Sequence, residues 1–408
     1  MENNSDYQKT DENVNSTTRC KFFLDRKKRF CKATSRYDSN FCVEHGYLSN
    51  DSETEFSRKR MLCPLDPKHS CYADKIDKHL KKCNSRKELY PVYYQENLNS
   101  GYSPLNPNEY RKTIRDIELP ELIGLIERIN FYYEKYYQTD TLNEYLCHDS
   151  VEKDISDPKT GKSAVKHLKQ QGSIIEHINR LELLQDDTCF IEFGAGKGGL
   201  SHILEKASKE LNSVQFILIE RGAVRYKKDN YHKEENQGPI FERLRVDIEH
   251  LALDKVESLK NPKKKVAIGK HLCGSATDMM LRCLMENWLS GTGNQFRGLV
   301  LALCCHHRCD WKSYVGKKFF EEAGFSARDF HLISTLSSWY TCGTKDIEIK
   351  EGKLTLEERS QIGKRCKLLI DFGRKQYLKS FNLDSQLVAY VDPDISLENI
   401  LLKAKFLK

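Results

Sequence analysis

Eight cysteines and histidines near the start of the chain fall into two sets whose spacing suits a metal ion. Cys20, Cys31, Cys42 and His45 read C-x10-C-x10-C-x2-H, and Cys63, His69, His79 and Cys83 read C-x5-H-x9-H-x3-C. Three thiolates with one imidazole, or two with two, close a tetrahedral zinc site. His79 and Cys83 stand four apart in DKIDKHLKKC, so a helix there puts both on one face. Cys71 competes with His69 on spacing alone, although the set closes without it. The segment 19–48 is polar and basic; it is too short to bury a self-sufficient apolar core, so ligation must supply the missing folding free energy.

A second kind of chemistry is written at 189–201, CFIEFGAGKGGLS. An apolar strand runs into a turn containing Gly194, Gly196, Gly198 and Gly199 and then into a helix start, the layout in which backbone closely approaches a nucleotide-like cofactor. Three carboxylates bear on which cofactor it is. Glu192 precedes the turn, Glu220 ends the next strand and Asp247 follows the third. An acid about 20 residues beyond the glycines suits ribose hydroxyls of either a dinucleotide or a nucleoside. Glu192 at the loop mouth would repel a pyrophosphate and attract the ammonium of S-adenosylmethionine, while Asp247 is placed to accept from an adenine amino group. Lys197 within the loop suits phosphate, but its long stem allows it to face solvent. The carboxylates favour S-adenosylmethionine, with Glu192, Gly194, Ala195, Gly196, Gly198, Glu220 and Asp247 as its contacts.

These groups need a scaffold. Short apolar runs at 189–193, 214–219, 242–246, 265–269, 298–304, 330–334 and 385–391 alternate with helix-like segments, which predicts a seven-strand, mostly parallel, doubly wound sheet. Upstream, a helix is expected from Pro120, with Leu122, Leu125, Ile126 and Ile129 at helical spacing and Tyr132, Tyr133, Tyr136 and Tyr137 continuing it as core. A further amphipathic segment runs from Val165 to Leu184. Pro91, Gly101, Pro104 and Pro107 mark a linker. The expected division is a disordered tail at 1–18, zinc modules at 19–48 and 57–88, a linker at 89–119 and a catalytic domain at 120–408.

The chain has 408 residues, 15 cysteines and a formal net charge of +7. No stretch approaches the roughly 20 consecutive apolar residues of a membrane span, and the N-terminus lacks the basic and apolar regions of a secretory signal. An intracellular protein, in nucleus or cytoplasm, is expected, with reduced thiols that ligate metal, react or pack rather than pair. Residues 57–88 hold ten Lys/Arg against four Asp/Glu. Lys75, Lys78, Lys81, Lys82, Arg86 and Lys87 surround the predicted ligand helix, a surface suited to a polyanion. A second basic stretch, Leu356 to Lys379, carries Arg359, Lys364, Arg365, Lys367, Arg374 and Lys375 and reads as a helix broken or capped near Gly363 and Gly373, with its charges available to an RNA backbone.

In sequence order, the two cysteine–histidine sets, IEFGAGKGGLS, GKHLCGSATD and LALCCHHRCDW together resemble the eukaryotic tRNA 2′-O-methyltransferase family that modifies nucleotide 4 of the acceptor stem. The C-x5-H-x9-H-x3-C set also resembles a CHHC finger found in a minor-spliceosome protein. The resemblance spans nearly the whole chain. It implies a class I Rossmann-like methyltransferase domain behind two zinc modules, S-adenosylmethionine and two zinc ions as cofactors, and a tRNA acceptor stem as partner. A stem presents mainly phosphates and 2′-hydroxyls in its shallow groove, which suits basic modules without a base-reading motif.

Ligands of an open α/β sheet bind beyond the carboxyl ends of its strands, where two polar clusters are expected. Lys270 and His271 follow the fourth strand, and His306 and His307 follow the fifth; these four are the candidates for activating a ribose hydroxyl. The Lys-Asp-Lys-Glu set of many ribose methyltransferases is not displayed in an assignable order. Cys304 or Cys305 is an alternative nucleophile for pyrimidine base methylation. A third metal site in CCHHRC is disfavoured, because successive residues of an extended strand point to opposite faces. A catalytically inactive RNA-binding or splicing-associated protein is the rival from another class.

Overall fold

The computed structural model describes residues 19–24, 29–35, 39–48, 60–83, 85–86, 90–111, 114–137, 141–224, 227–228, 240–289, 295–341 and 354–406; the tail expected at 1–18 lies outside them. The chain divides into two compact units, Met1–Pro91 and Val92–Lys408.

In the first unit, strands β1 (Phe23–Leu24) and β2 (Arg29–Phe30) pair antiparallel, and a 3-10 helix covers Val43–Leu48. Strands β3 (Arg60–Cys63) and β4 (Asp66–Tyr72) form a second hairpin, followed by a short helix at Ile76–Leu80. Glu44 joins the two halves. Its carboxylate accepts from Arg60 Nη2 at 3.2 Å, and its carbonyl accepts from Ser70 Oγ at 2.7 Å.

The second unit is built on eight strands: β5 (Thr141–Asn143), β6 (Thr188–Phe193), β7 (Gln215–Ile219), β8 (Ile240–Leu244), β9 (Lys264–Cys273), β10 (Phe296–Cys304), β11 (Leu383–Ala389) and β12 (Ile400–Phe406). Their order across the sheet is β5-β11-β12-β10-β9-β6-β7-β8. The pairs from β10 through β9, β6 and β7 to β8 are parallel, as is β11 with β5, while β12 runs antiparallel to both neighbours. The order reverses between β6 and β9, which opens a crevice at their carboxyl ends.

Strand alternation splits the core into two layers. Cys189, Ile191 and Phe193 of β6 face the cluster that includes Leu122, Leu125, Ile129, Met280 and Leu369. Phe190 faces the other cluster, with Ile174, Ile178, Ile203 and Leu204 from helices Lys162–Arg180 and Gly199–Ala207. The tyrosine run is core, as expected: Tyr136 stacks on Phe372, and the buried Tyr137 donates its hydroxyl to the Leu368 carbonyl.

Four expectations change. The run at 330–334 is not a strand but part of a helix, Ala327–Leu336, because Ser326 and Asp329 form a capping box and Ala327, Phe330, Ile333 and Leu336 bury one face. β5 and β12 were not anticipated, so the sheet has eight strands rather than seven. The segment expected as a linker packs onto the second unit: Tyr94 bridges to Leu251, and the buried Asn99 donates to the carbonyls of Ile248 and Leu251 at 2.6 and 2.8 Å. The helix Leu356–Lys379 runs unbroken through both glycines. A side chain at Gly363 would meet the backbone of Tyr340, and one at Gly373 the hydroxyl of Tyr314, so both serve close packing. Of its basic residues, Arg359, Lys367 and Arg374 are buried rather than offered to a ligand.

Candidate functional site: a cofactor cavity and two metal centres

A cavity of about 340 Å³ opens at the carboxyl edge of the sheet, lined by Gly194 after β6, Glu220 and Arg221 after β7, Val246 to Glu249 after β8, His271 to Cys273 of β9, Ser275, Ala276 and Met279 of the next helix, and Arg308. Its size lies within the range of small-molecule sites. Apolar walls (Ile219, Val246, Ile248, Leu272, Met279) and convergent polar groups suit a nucleoside with a charged tail.

The glycine turn adopts the geometry its residues require. Gly194, Gly196 and Gly198 have φ of 65°, 50° and 75°, a region that penalises side chains. Glu220 holds the turn, accepting from the amides of Gly196 at 2.9 Å and Gly222 at 2.8 Å. Arg243 Nη1 donates to the Gly196 carbonyl at 2.9 Å. Asp247 reaches the cavity beside Arg221, 3.2 Å from its Nη1.

Of the seven cofactor contacts expected from sequence, Gly194, Glu220 and Asp247 line the cavity, whereas Ala195, Gly196 and Gly198 shape the turn without lining it. Glu192 behaves differently from the expectation. It is buried and accepts from both the amide and the hydroxyl of Ser201, at the start of the following helix. Burial pushes its carboxyl up to about 7, against the lowering effect of the Ser201 hydrogen bonds. Glu192 therefore props the turn from behind.

The activation candidates also separate. His271 lines the cavity and has φ of 70°. Lys270 is buried, with Nζ 3.3 Å from His167 Nδ1, and desolvation lowers its ammonium to about 8 even though Glu192 favours its charge. The His167 ring lies 6.2 Å from that of His271; sequence reading missed His167, which sits on a helix face without any motif. His306 is fully enclosed: Nε2 meets Asp371 Oδ1 at 2.7 Å and Nδ1 faces Glu398 at 3.9 Å. It cannot reach a substrate and is withdrawn as a direct base. His307 is exposed but is not among the residues lining the cavity.

His306 belongs to a buried ionic assembly. Arg374, completely enclosed, donates from Nε and Nη2 to Asp278 at 3.1 and 2.7 Å and from Nη1 to Asp371 at 3.0 Å. Arg374 Nη2 also approaches the Gly274 carbonyl at 3.3 Å. One guanidinium thus ties the helix Leu356–Lys379 to Gly274 and Asp278 after β9 and, through the Cys309 sulfur at 3.2 Å, to the segment after β10. Its position in a basic stretch gave no sign of this role.

The two ligand sets of the first unit are assembled. The ligand atoms of Cys20, Cys31, Cys42 and His45 lie within 4.8 Å of one another, as do those of Cys63, His69, His79 and Cys83. In the second set the two sulfurs are 3.7 Å apart, the two imidazole nitrogens 3.2 Å, and His79 Nε2 is 3.1 Å from Cys63 Sγ. A tetrahedral zinc with bonds of about 2.3 Å to sulfur and 2.0 Å to nitrogen requires sulfurs about 3.8 Å and nitrogens about 3.3 Å apart, so the donors fit the ion. Asp66 lies 3.7 Å from His69 Nδ1, placed to orient the ring. Cys71 is buried outside the set. Lys75, Lys78, Lys81 and Lys82 are exposed, and Lys87 lies outside the described residues.

Comparison with known proteins bears on the whole chain. Residues 169–405 match the family described as Methyltransferase TRM13, residues 18–46 the CCCH zinc finger in TRM13 protein, and residues 60–84 the U11-48K-like CHHC zinc finger. The tRNA:m(4)X modification enzyme TRM13 homolog of Mus musculus is 38% identical over 95% of this chain and 94% of that protein. The tRNA:m(4)X modification enzyme TRM13 of Saccharomyces cerevisiae is 29% identical over 94% of this chain and 95% of its own length. Among solved structures, the SAH-bound Podospora anserina methyltransferase PaMTH1 covers 73% of this chain and 100% of that chain at 8% identity, with a TM-score of 0.34. Among the described residues no helix is long and apolar enough to cross a membrane. With the two finger families and the methyltransferase family matched in sequence order, the chain belongs to the TRM13 methyltransferase family.

Proposed function

We infer that this protein methylates a ribose 2′-hydroxyl of tRNA at nucleotide 4 of the acceptor stem. The observation that carries the reading is the cavity where Glu220 and Asp247 face His271 and Arg308 across the carboxyl edge of the sheet, in a chain whose relatives are named tRNA:m(4)X modification enzymes. S-adenosylmethionine, held by Gly194, Glu220 and Asp247, supplies an electrophilic methyl group. The chain's own residues then position the hydroxyl and relieve it of its proton. His271 stands on the cavity wall to orient the 2′-oxygen, and Lys270, with an ammonium near 8, together with His167 takes up the proton. Orientation of the oxygen contributes much of the acceleration. Arg308, on the same wall, pairs with a flanking phosphate, and the lysines of the second finger hold more of the backbone.

The test is incubation of the purified protein with tRNA and S-adenosylmethionine, followed by nucleoside mass spectrometry. A methyl retained on the ribose after loss of the base, at nucleotide 4, is the expected product. A 5-methylated pyrimidine would replace this reading with base methylation through Cys304 or Cys305. Absence of S-adenosylmethionine binding by the folded protein would leave an RNA-binding role only.

A further inference from the structure

Three thiols outside the fingers converge at the rim of the cavity. Cys273 ends β9, Cys304 ends β10, and Cys305 follows directly; their sulfurs all lie within 4.8 Å of one another. β9 and β10 are parallel neighbours in which Cys273 and Cys304 are register partners, with sulfurs 3.8 Å apart. Alternation along an extended strand would send Cys305 to the opposite face. Instead Cys305 has φ of 53°, which ends the strand, and its amide donates to Glu398 Oε1 at 2.9 Å. That turn brings the third sulfur to the other two, so Cys304 and Cys305 meet where the strand ends, whereas His306 and His307 do not join them. The turns bearing these thiols are pressed together, since a side chain at Gly274 would collide with the backbone of Arg308.

The separation is informative. Thiolates sharing one ion at about 2.3 Å stand about 3.8 Å apart, whereas a disulfide needs about 2.05 Å. The Cys63–Cys83 pair of the second finger stands at a similar 3.7 Å. No histidine or carboxylate among the described residues completes this set, so a fourth position is left for water or a ligand, as in zinc sites with three protein donors. Cys304 is buried, Cys305 is half-buried, and Cys273 lines the cavity.

We propose that Cys273, Cys304 and Cys305 bind a third zinc ion, three-thiolate in character, with its open position at the rim of the cofactor cavity. Binding displaces the remaining thiol protons and joins the ends of β9 and β10, so that the end of β9 bearing His271 and the turn bearing Arg308 move as one.

The test is zinc stoichiometry of the reduced full-length protein, by mass spectrometry of the metal, at buffered free zinc that saturates the fingers. Three ions per chain are expected, two in Cys305→Ser, two in His79→Ala and one in the double variant. Saturation of the unsubstituted protein at two, or retention of three by Cys305→Ser, overturns the proposal. Should Cys305→Ser not fold, alkylation of the unsubstituted protein decides: zinc should slow modification of Cys273 at least about tenfold, and equal rates with and without zinc reject the site. Recovery of a Cys273–Cys304 disulfide from zinc-saturated, reduced protein also rejects it.

Discussion

Among the described residues of the first unit, the buried apolar side chains are Cys20, Cys42, Cys63, Cys71 and Cys83, whereas the second unit buries whole layers of Phe, Leu, Ile and Val on both faces of its sheet. In the first unit, order comes from donors converging on a point. In the second it comes from apolar surface removed from water, worth about 25 cal/mol per Å², with the Arg374 ionic assembly among the groups buried inside. The two units should therefore fail under different insults.

The sharpest break in this contrast is His79→Ala. Loss of one of four donors should release one zinc per chain, unfold the second finger outright and weaken tRNA binding by about tenfold or more, while S-adenosylmethionine affinity changes less than about twofold. Metal analysis with parallel titrations checks this; unchanged zinc content rejects the ligand assignment.

Arg374→Met addresses the other unit. It strands Asp278 and Asp371 without their shared cation, and removing one partner of such a buried group costs about 3–5 kcal/mol. Thermal unfolding should show that loss in the second unit alone, with finger zinc retained.

Lys270→Met should lower turnover by about a hundredfold, within the usual range for proton transfer, and should abolish the pH dependence it creates. In the proposed role the neutral amine is the active form, so the rate of the unsubstituted protein should rise with pH through about 8 and then level. A variant that keeps that rise would remove Lys270 from the proton path.

Glu192→Gln is the next smaller effect. The folded carboxyl titrates near 7 and the unfolded one near 4.5, so Glu192 favours folding below the lower value and loses that contribution as pH rises through about 7. The variant should be more stable than the parent at pH 8, by at most about 3–4 kcal/mol, and equal to it near pH 4. Glu220→Gln is the mildest: one carboxylate oxygen is lost at the turn, and cofactor affinity should fall about tenfold by calorimetry.

How legible each unit was follows from the same contrast. The eight candidate finger donors were readable because donors to one ion lie close along the chain; spacing left Cys71 as a competitor of His69, and the fold placed it outside the set. The glycine turn and the acids ending β7 and following β8 were readable for a similar reason, being tied to strand ends. The C-terminal basic stretch misled, since Arg374 finds Asp278 at 96 residues' separation and nothing local distinguishes a buried arginine from a solvated one. His306 misled in the same way, its partner Asp371 lying 65 residues on.

The sequence by itself determined where the metal donors are, where the cofactor turn lies and that a parallel sheet carries it, because short-range spacing and strand periodicity encode these directly. Tertiary structure alone decided that Glu192 is a prop rather than a contact and that His306 is enclosed. It also brought His167 to Lys270 and turned Cys305 back toward Cys273. Each of those outcomes depends on which distant side chain arrives to desolvate or pair the group, and that is settled only when the layers pack.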